Sequence, residues 1–266
     1  MSETVLTHEV LLPSMKLRRF VHRFEIIETF SERVHTLLPE TSPIACFRLD
    51  GVVMMHGASS SSALPAALFS GVQDRTRSVT HLPGSHVLLT VFTGAGAAAF
   101  FREPLDQLFN RTMPMDLFLR RSRLDEVREQ LMEARENAGR VEVAERFLLG
   151  RLRPKASGAM PDPVTEAAAA HIRKRHGAVR MEELARVLNL SLSALERRFR
   201  RRVGASPRKF ASIVRMRHVL RLRKAGGNLT EIAHRAGYCD QSHFIKDFKG
   251  FTGLAPESFF RQTSFC

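Results

Sequence analysis

Ser193, Glu196, Arg197 and Arg200 recur at i, i+3, i+4 and i+7, the spacing that places side chains on one face of a helix. Gln241, Ser242, His243, Lys246 and Lys249 form a second set of the same kind. Their chemistry suits the edges of base pairs: Arg can pair bidentately with guanine, Gln with adenine, and Glu can accept from cytosine N4. Ser193, Glu196, Arg197, Gln241, Ser242, His243 and Lys246 are therefore read as base-contacting. Arg200, Lys249 and the further cations Arg180, Arg198, Arg201, Arg202, Arg208 and Lys209 are read as phosphate-contacting, supplying affinity that salt weakens.

These faces need helices to carry them, and the flanking sequence supplies two similar units. Met181, Leu184, Ala185 and Leu188 mark one short helix, and Leu229, Ile232, Ala233 and Ala236 another. Each stops at a residue that tolerates a left-handed backbone, Asn189 or Gly237, followed by an N-cap, Ser191 or Asp240. A second helix follows, with the apolar stripe Leu192, Leu195 and Phe199 in one copy and Phe244, Phe248 and Phe251 in the other. The closing segments Gly204-Ala-Ser-Pro207 and Gly253-Leu-Ala-Pro256 also correspond, and the second copy has one extra residue in its turn. Short helix, tight turn and second helix, repeated, is the pattern of a helix-turn-helix DNA reader.

Between the copies, Phe210, Ile213, Met216 and Leu220 lie on one helical stripe running from Ser206 to Ala225, with Pro207 placed for a first turn. Such a connector spans about 30 Å, close to the roughly 34 Å between successive major grooves on one face of B-DNA.

Charge agrees with this chemistry. The 266 residues carry a net +14, and Met160 to Cys266 hold 21 Lys+Arg against 9 Asp+Glu, leaving the preceding part near neutral. A basic segment of this kind meets a polyanion. The rival readings, a solvated helical bundle or a nonspecific nucleic-acid binder, leave the matched copies and caps unexplained.

Residues 164 to 262 resemble the DNA-binding domain of the AraC/XylS family of bacterial transcription regulators. The most specific stretch is Leu229-Thr-Glu-Ile-Ala-His-Arg-Ala-Gly-Tyr-Cys-Asp-Gln-Ser-His-Phe-Ile-Lys-Asp-Phe-Lys-Gly-Phe-Thr-Gly-Leu-Ala-Pro256. The resemblance implies seven helices with two helix-turn-helix units on a long central helix, and base contacts from the residues named above. It departs from the family pattern at Val219, Asn189 and Cys239. It also implies an N-terminal region that binds a small effector or dimerises, and contact with RNA polymerase, as in an activator. Leu37-Leu-Pro-Glu40, Gly71-Val-Gln-Asp-Arg75 and the run Phe92 to Pro104 are similar to such a sensor.

The N-terminal part has short apolar runs bounded by turn formers, Ile44 to Leu49, Val52 to Met55 and Val87 to Phe92, which read as strands. Helical stripes follow at Leu124, Val127, Leu131 and at Val141, Ala144, Leu148, which are core or a dimer contact. The predicted class is α+β: a β-rich domain at 1-153 closed by helices, a linker at 154-163 within Arg153 to Pro163, and an all-α reader at 164-266. The Ser tract from Ala58 to Ala63 is read as an exposed loop and Gly94-Ala-Gly96 as a turn.

No run is long and apolar enough to span a bilayer, and the acidic N-terminus lacks a signal-peptide pattern, so a cytoplasmic protein is expected. His56, His81 and His86 lack the carboxylate and histidine spacing of a metal site, and Cys46, Cys239 and Cys266 are read as free thiols. No cofactor or metal is expected, and no catalytic grouping has a supporting motif. An alternative reading, an enzyme or DNA-repair module with a helix-turn-helix anchor, requires a reactive cysteine. Cys46, in an apolar strand-like run, is a poor candidate.

Overall fold

The computed structural model describes residues 5–57, 60–101, 103–152 and 162–262. The N-terminal part contributes ten strands: β1 (Leu6–Leu11), β2 (Val21–Thr29), β3 (Arg33–Leu37), β4 (Ile44–Asp50), β5 (Val53–His56), β6 (Ser61–Ala63), β7 (Ala67–Ser70), β8 (Arg77–His81), β9 (Ser85–Phe92) and β10 (Thr112–Pro114). They form a six-stranded sheet in the order β1-β2-β9-β4-β7-β10 and a four-stranded sheet in the order β3-β8-β5-β6, with antiparallel pairing throughout.

The period of two along each strand gives the larger sheet two different faces. Phe24 and Ile26 of β2, Phe47 of β4 and Leu88 of β9 turn toward α1 (Arg121–Glu133) and α2 (Asn137–Arg151), where Phe147 meets Phe47 edge-on at 5.7 Å. Cys46 of β4, opposite Leu68 and Leu89, turns toward the second sheet and packs with Val53 and Val79. Both faces of β4 and β9 are thus covered. That is why these strands read as continuous apolar runs and not as alternation. Leu124, Val127, Leu131, Val141, Ala144 and Leu148 are buried in this chain's own core, the first of the two roles expected for those stripes.

The Ser-rich tract differs in part from expectation. Ser61–Ala63 form edge strand β6 on β5, although all three residues are exposed. Backbone pairing makes this strand, so hydropathy could not reveal it. Ala58 and Ser59 lie outside the described residues, as do 154–161 of the expected linker. Gly96–Ala99 form a short 3-10 turn that begins within the Gly94-Ala-Gly96 stretch.

From residue 162 the chain is helical: α3 (Pro163–Lys174), α4 (Met181–Val187), α5 (Leu192–Val203), α6 (Pro207–Lys224), α7 (Leu229–Arg235), α8 (Gln241–Thr252) and α9 (Pro256–Gln262). The expected stripe on α6 is there, with Phe210, Ile213 and Met216 inaccessible. Ala211, Val214, Val219 and Leu222 are buried as well, because helices and the N-terminal part surround α6. Val72 and Ala95, from the β-rich part, belong to this second core. No helix among the described residues is long and apolar enough to cross a membrane.

Two histidines make stability pH-dependent. Burial, with His35 beside it, pushes His81 down to about 4, and burial with His176, Arg221 and Arg235 does the same for His218. In an unfolded chain both titrate near 6.5. Between these values the unfolded chain binds more protons, so stability is full above about pH 6.5 and declines as pH falls toward 4. Unfolding midpoints measured from pH 7.5 to 4.5 should decline in the wild type and less steeply in His218→Gln. Parallel profiles would refute the assignment for His218.

Candidate nucleic-acid interface

α4 with α5 and α7 with α8 build two helix-turn-helix units, and local chemistry accounts for their turns. Asn189 (φ 53°) and Gly237 (φ 76°) take the left-handed conformation that lets each chain reverse. The Ser191 hydroxyl accepts from the Ala194 N–H and the Asp240 carboxylate from the His243 N–H, satisfying amides at the starts of α5 and α8. Four residues separate α4 from α5 and five separate α7 from α8, which is the extra residue of the second turn.

One face of each second helix is sealed. Leu195, Phe199 and Val203 are buried on α5, and Phe244, Phe248 and Phe251 on α8, while Leu192, expected on the stripe, is 36% exposed at the first turn. On α5 the outward side carries Ser193, Arg197, Arg200 and Arg201, all exposed, with half-buried Glu196 held 3.8 Å from Arg200. On α8, Gln241, Ser242, His243, Lys246 and Lys249 are all exposed. Arg180 at the start of α4 and Arg208 on α6 are exposed too, and Arg202 is half-buried. The structure therefore leaves most of each expected base-contacting set exposed on the second helix of its unit, with Glu196 half-buried.

Among the expected phosphate-contacting cations, Arg198 and Lys209 are engaged by carboxylates outside their own helices. Arg198 clasps Asp162 through Nε (2.5 Å) and Nη2 (2.7 Å), and Lys209 pairs with Asp74 of the β-rich part at 2.7 Å. Burial would raise the Asp162 carboxyl, but Arg198 and the Thr165 hydroxyl outweigh it and hold it below the usual range. For either cation to meet phosphate, its ion pair must exchange. Asp162 was hidden in the expected linker, although an Asp directly before a proline is a helix-start signal.

The β-rich part grips both units. The Thr76 N–H donates to the Phe251 carbonyl at the end of α8 (2.9 Å), and Asp74, itself fixed by Asn110, holds Lys209 at the start of α6. Arg217 of α6 donates to Glu40 (2.6 Å) and to the Pro39 carbonyl (3.2 Å). At the end of α5, Gly204 has φ 93°, and a Cβ there would sit 2.7 Å from the Leu105 carbonyl oxygen. Gly204→Ala combines backbone strain of about 1 kcal/mol with loss of this approach, and should lower the unfolding midpoint measurably; an unchanged midpoint would mean that the contact yields freely.

Two of the three histidines considered for a metal site have hydroxyl partners: His56 binds the Ser61 and Thr80 hydroxyls, and His81 the Ser85 hydroxyl. Cys46 is buried and its thiol is pushed up to about 12 by that burial, which suppresses the thiolate a nucleophile needs. A thiol-specific reagent should therefore label exposed Cys239 far faster than Cys46 in the native protein. Rapid labelling of Cys46 would revive an enzymatic reading.

Residues 184–262 match a family model described as a helix-turn-helix domain. The matched span starts within α4, later than residue 164 where the resemblance was expected to begin. No curated protein matches the chain. Among solved structures, ToxT from Vibrio cholerae is similar at 14% identity and a TM-score of 0.47, with 98% of this chain and 100% of that chain covered. The C-terminal domain of AraT, a response regulator from Geobacillus stearothermophilus, is 27% identical with a TM-score of 0.37, covering 40% of this chain and 89% of that one. Two capped units, their exposed polar faces and the family match lead to one assignment: residues 184–262 of this chain form a helix-turn-helix domain.

Proposed function

We propose that this protein reads two adjacent major grooves, with base contacts from Ser193, Glu196 and Arg197 of α5 and from Gln241, Ser242, His243 and Lys246 of α8. The observation that carries the reading is a pair of capped units with exposed polar faces on either side of one 18-residue helix. That helix spans about 27 Å, somewhat less than the groove repeat, so a modest bend in the DNA brings both faces into register. Selection of random DNA by the full-length protein near physiological salt should enrich a bipartite motif with centres about 10 base pairs apart. Enrichment of a single half-site would remove the two-groove reading, and binding abolished by modest salt without enrichment would reduce it to phosphate attraction.

The β-rich region acts as a modulator in this reading. A cavity of about 410 Å³ between its two sheets is lined by residues of both sheets, together with Glu40 and, from α6, Arg217. An effector seated there bears directly on the Glu40–Arg217 pair, and so shifts the arrangement competent for DNA. Polymerase contact and dimerisation would act downstream of that shift.

Because Asp74 occupies Lys209, Asp74→Asn should free one cation for phosphate. Operator affinity at low salt should rise, and the slope of log affinity against log salt should steepen by about 1. An unchanged slope would mean that Lys209 faces away from the DNA.

A further inference from the structure

The cavity between the two sheets has apolar walls, among them Ile27, Cys46, Leu68, Val79 and Leu89, and its volume of about 410 Å³ suits a small organic molecule. Its polar lining is unbalanced: four arginines, Arg23, Arg48, Arg77 and Arg217, face two glutamates, Glu25 and Glu40. Arg23 pairs with Glu25 (2.6 Å) and Arg217 with Glu40 (2.6 Å), while Arg48 donates to the Gly51 carbonyl.

Arg48 and Arg77 both lack a carboxylate partner among the described residues and both have a buried Nε without a hydrogen-bond partner, but only Arg77 bridges the two sheets. It starts on β8 in the smaller sheet and reaches across to the larger one, where Nη1 donates to the Thr112 hydroxyl (2.8 Å) and the Ser70 hydroxyl (3.4 Å). Its Nε is buried without a hydrogen-bond partner, and among the described residues no carboxylate lies within ion-pair distance. Two hydroxyls orient a guanidinium but cannot neutralise it. Burial lowers its affinity for the proton to a pKa of about 10, a sign of how poorly the charge is compensated. A buried, uncompensated cation is costly, and an incoming anion removes that cost.

We infer that this cavity holds a small molecule with an apolar body and an anionic group, and that Arg77 is the residue that receives the anion. The inference rests on the reading of the cavity as the effector seat and adds the class of effector. The walls exclude a polyol, whose hydroxyls would go unpaired, and the arginine excess repels a cation. Both glutamates already have partners, so the two guanidiniums left without a carboxylate, Arg48 and Arg77, call for an anion, which the planar fork of Arg77 can bind through two parallel hydrogen bonds.

The test uses two dyes that fluoresce in apolar sites and share an aromatic body: 1-anilinonaphthalene-8-sulfonate, which carries one anion, and N-phenyl-1-naphthylamine, which carries none. The protein contains no tryptophan, so dye emission is read without that background. The full-length protein should bind the sulfonate at one saturable site per chain, about tenfold or more tighter than the neutral dye. Arg77→Met should abolish that preference while leaving the neutral dye unaffected, Arg77→Lys should restore part of it, and Arg121→Met, on the exposed start of α1, should change nothing.

Met removes an uncompensated charge from an apolar site, so the unliganded Arg77→Met variant should unfold at a midpoint no lower than the wild type. If it does unfold, a sulfonate preference that is intermediate in Arg77→Lys supports the inference, and one that is unaltered there overturns it. Equal binding of both dyes, unaltered by Arg77→Met, would overturn the anionic class while leaving the cavity as an effector seat. Weakening by Arg121→Met, or several sulfonates per chain, would show attraction to surface charge and overturn it too. No saturable binding of either dye would overturn both this inference and the effector-seat reading.

Discussion

Replacing Phe248 with alanine is expected to destabilise the helical region by about 3–5 kcal/mol, the usual cost of deleting a buried phenylalanine. Phe248 is inaccessible to solvent, and its ring meets Phe244 at 5.7 Å, Phe259 at 5.3 Å and Phe260 at 5.3 Å. It therefore fastens α8 to α9 and fixes the angle at which Gln241, Ser242, His243 and Lys246 are presented. Denaturant unfolding should show the loss as a shifted midpoint, and binding to both half-sites should weaken because the β-rich part couples the units through Thr76 and Lys209. A loss under about 1 kcal/mol would mean that the aromatic cluster relaxes around the cavity, against the expectation for a close-packed interior.

Arg197→Ala should relax the sequence preference at one or two positions of the binding site, costing about 1–3 kcal/mol there, or about 5- to 150-fold in discrimination. Arg201→Ala should instead weaken binding to all sequences alike and reduce the salt slope by about 1. Both side chains are exposed on α5, four residues apart, so neither change should unfold the protein. The contrast between the two variants is the informative quantity, measured as affinities over a panel of single-base variants of the selected site. Equal losses across that panel would show that Arg197 lies over the phosphate backbone, and the reading face of α5 would have to be rotated.

Much of the reader was legible from local chemistry. Asn189, Gly237, Ser191 and Asp240 each act on backbone within a few residues of themselves, and the structure places all four as their types require. The α5 and α8 stripes were legible for a related reason: helical periodicity is a local property, and the side that is not apolar is the side left outside. The strands β4, β5 and β9 were visible as apolar runs, but not the side on which each residue would lie. A strand covered on both faces loses the alternation that would reveal this.

The rest depended on distant partners. Arg198 and Arg197 are alike in sequence, adjacent on one helix and both exposed, yet Arg198 is clasped by Asp162, 36 residues away. Lys209 and Arg217 look like free cations until Asp74 and Glu40 of the β-rich part are brought against α6. Val72 and Ala95 entered the helical core although nothing near them in the chain suggests it. The cavity follows the same rule, since Arg77 is one more basic residue in an exposed-looking strand until packing of the two sheets removes water and supplies no carboxylate. By itself the sequence determined the helices, their caps and the outward chemistry of the two reading faces, because these depend on interactions within a few residues. Only the tertiary structure decided which charges are already paired and which buried ones are left without a counter-ion, because charge pairing in a folded chain depends on proximity in space, and proximity between distant segments is not encoded in spacing.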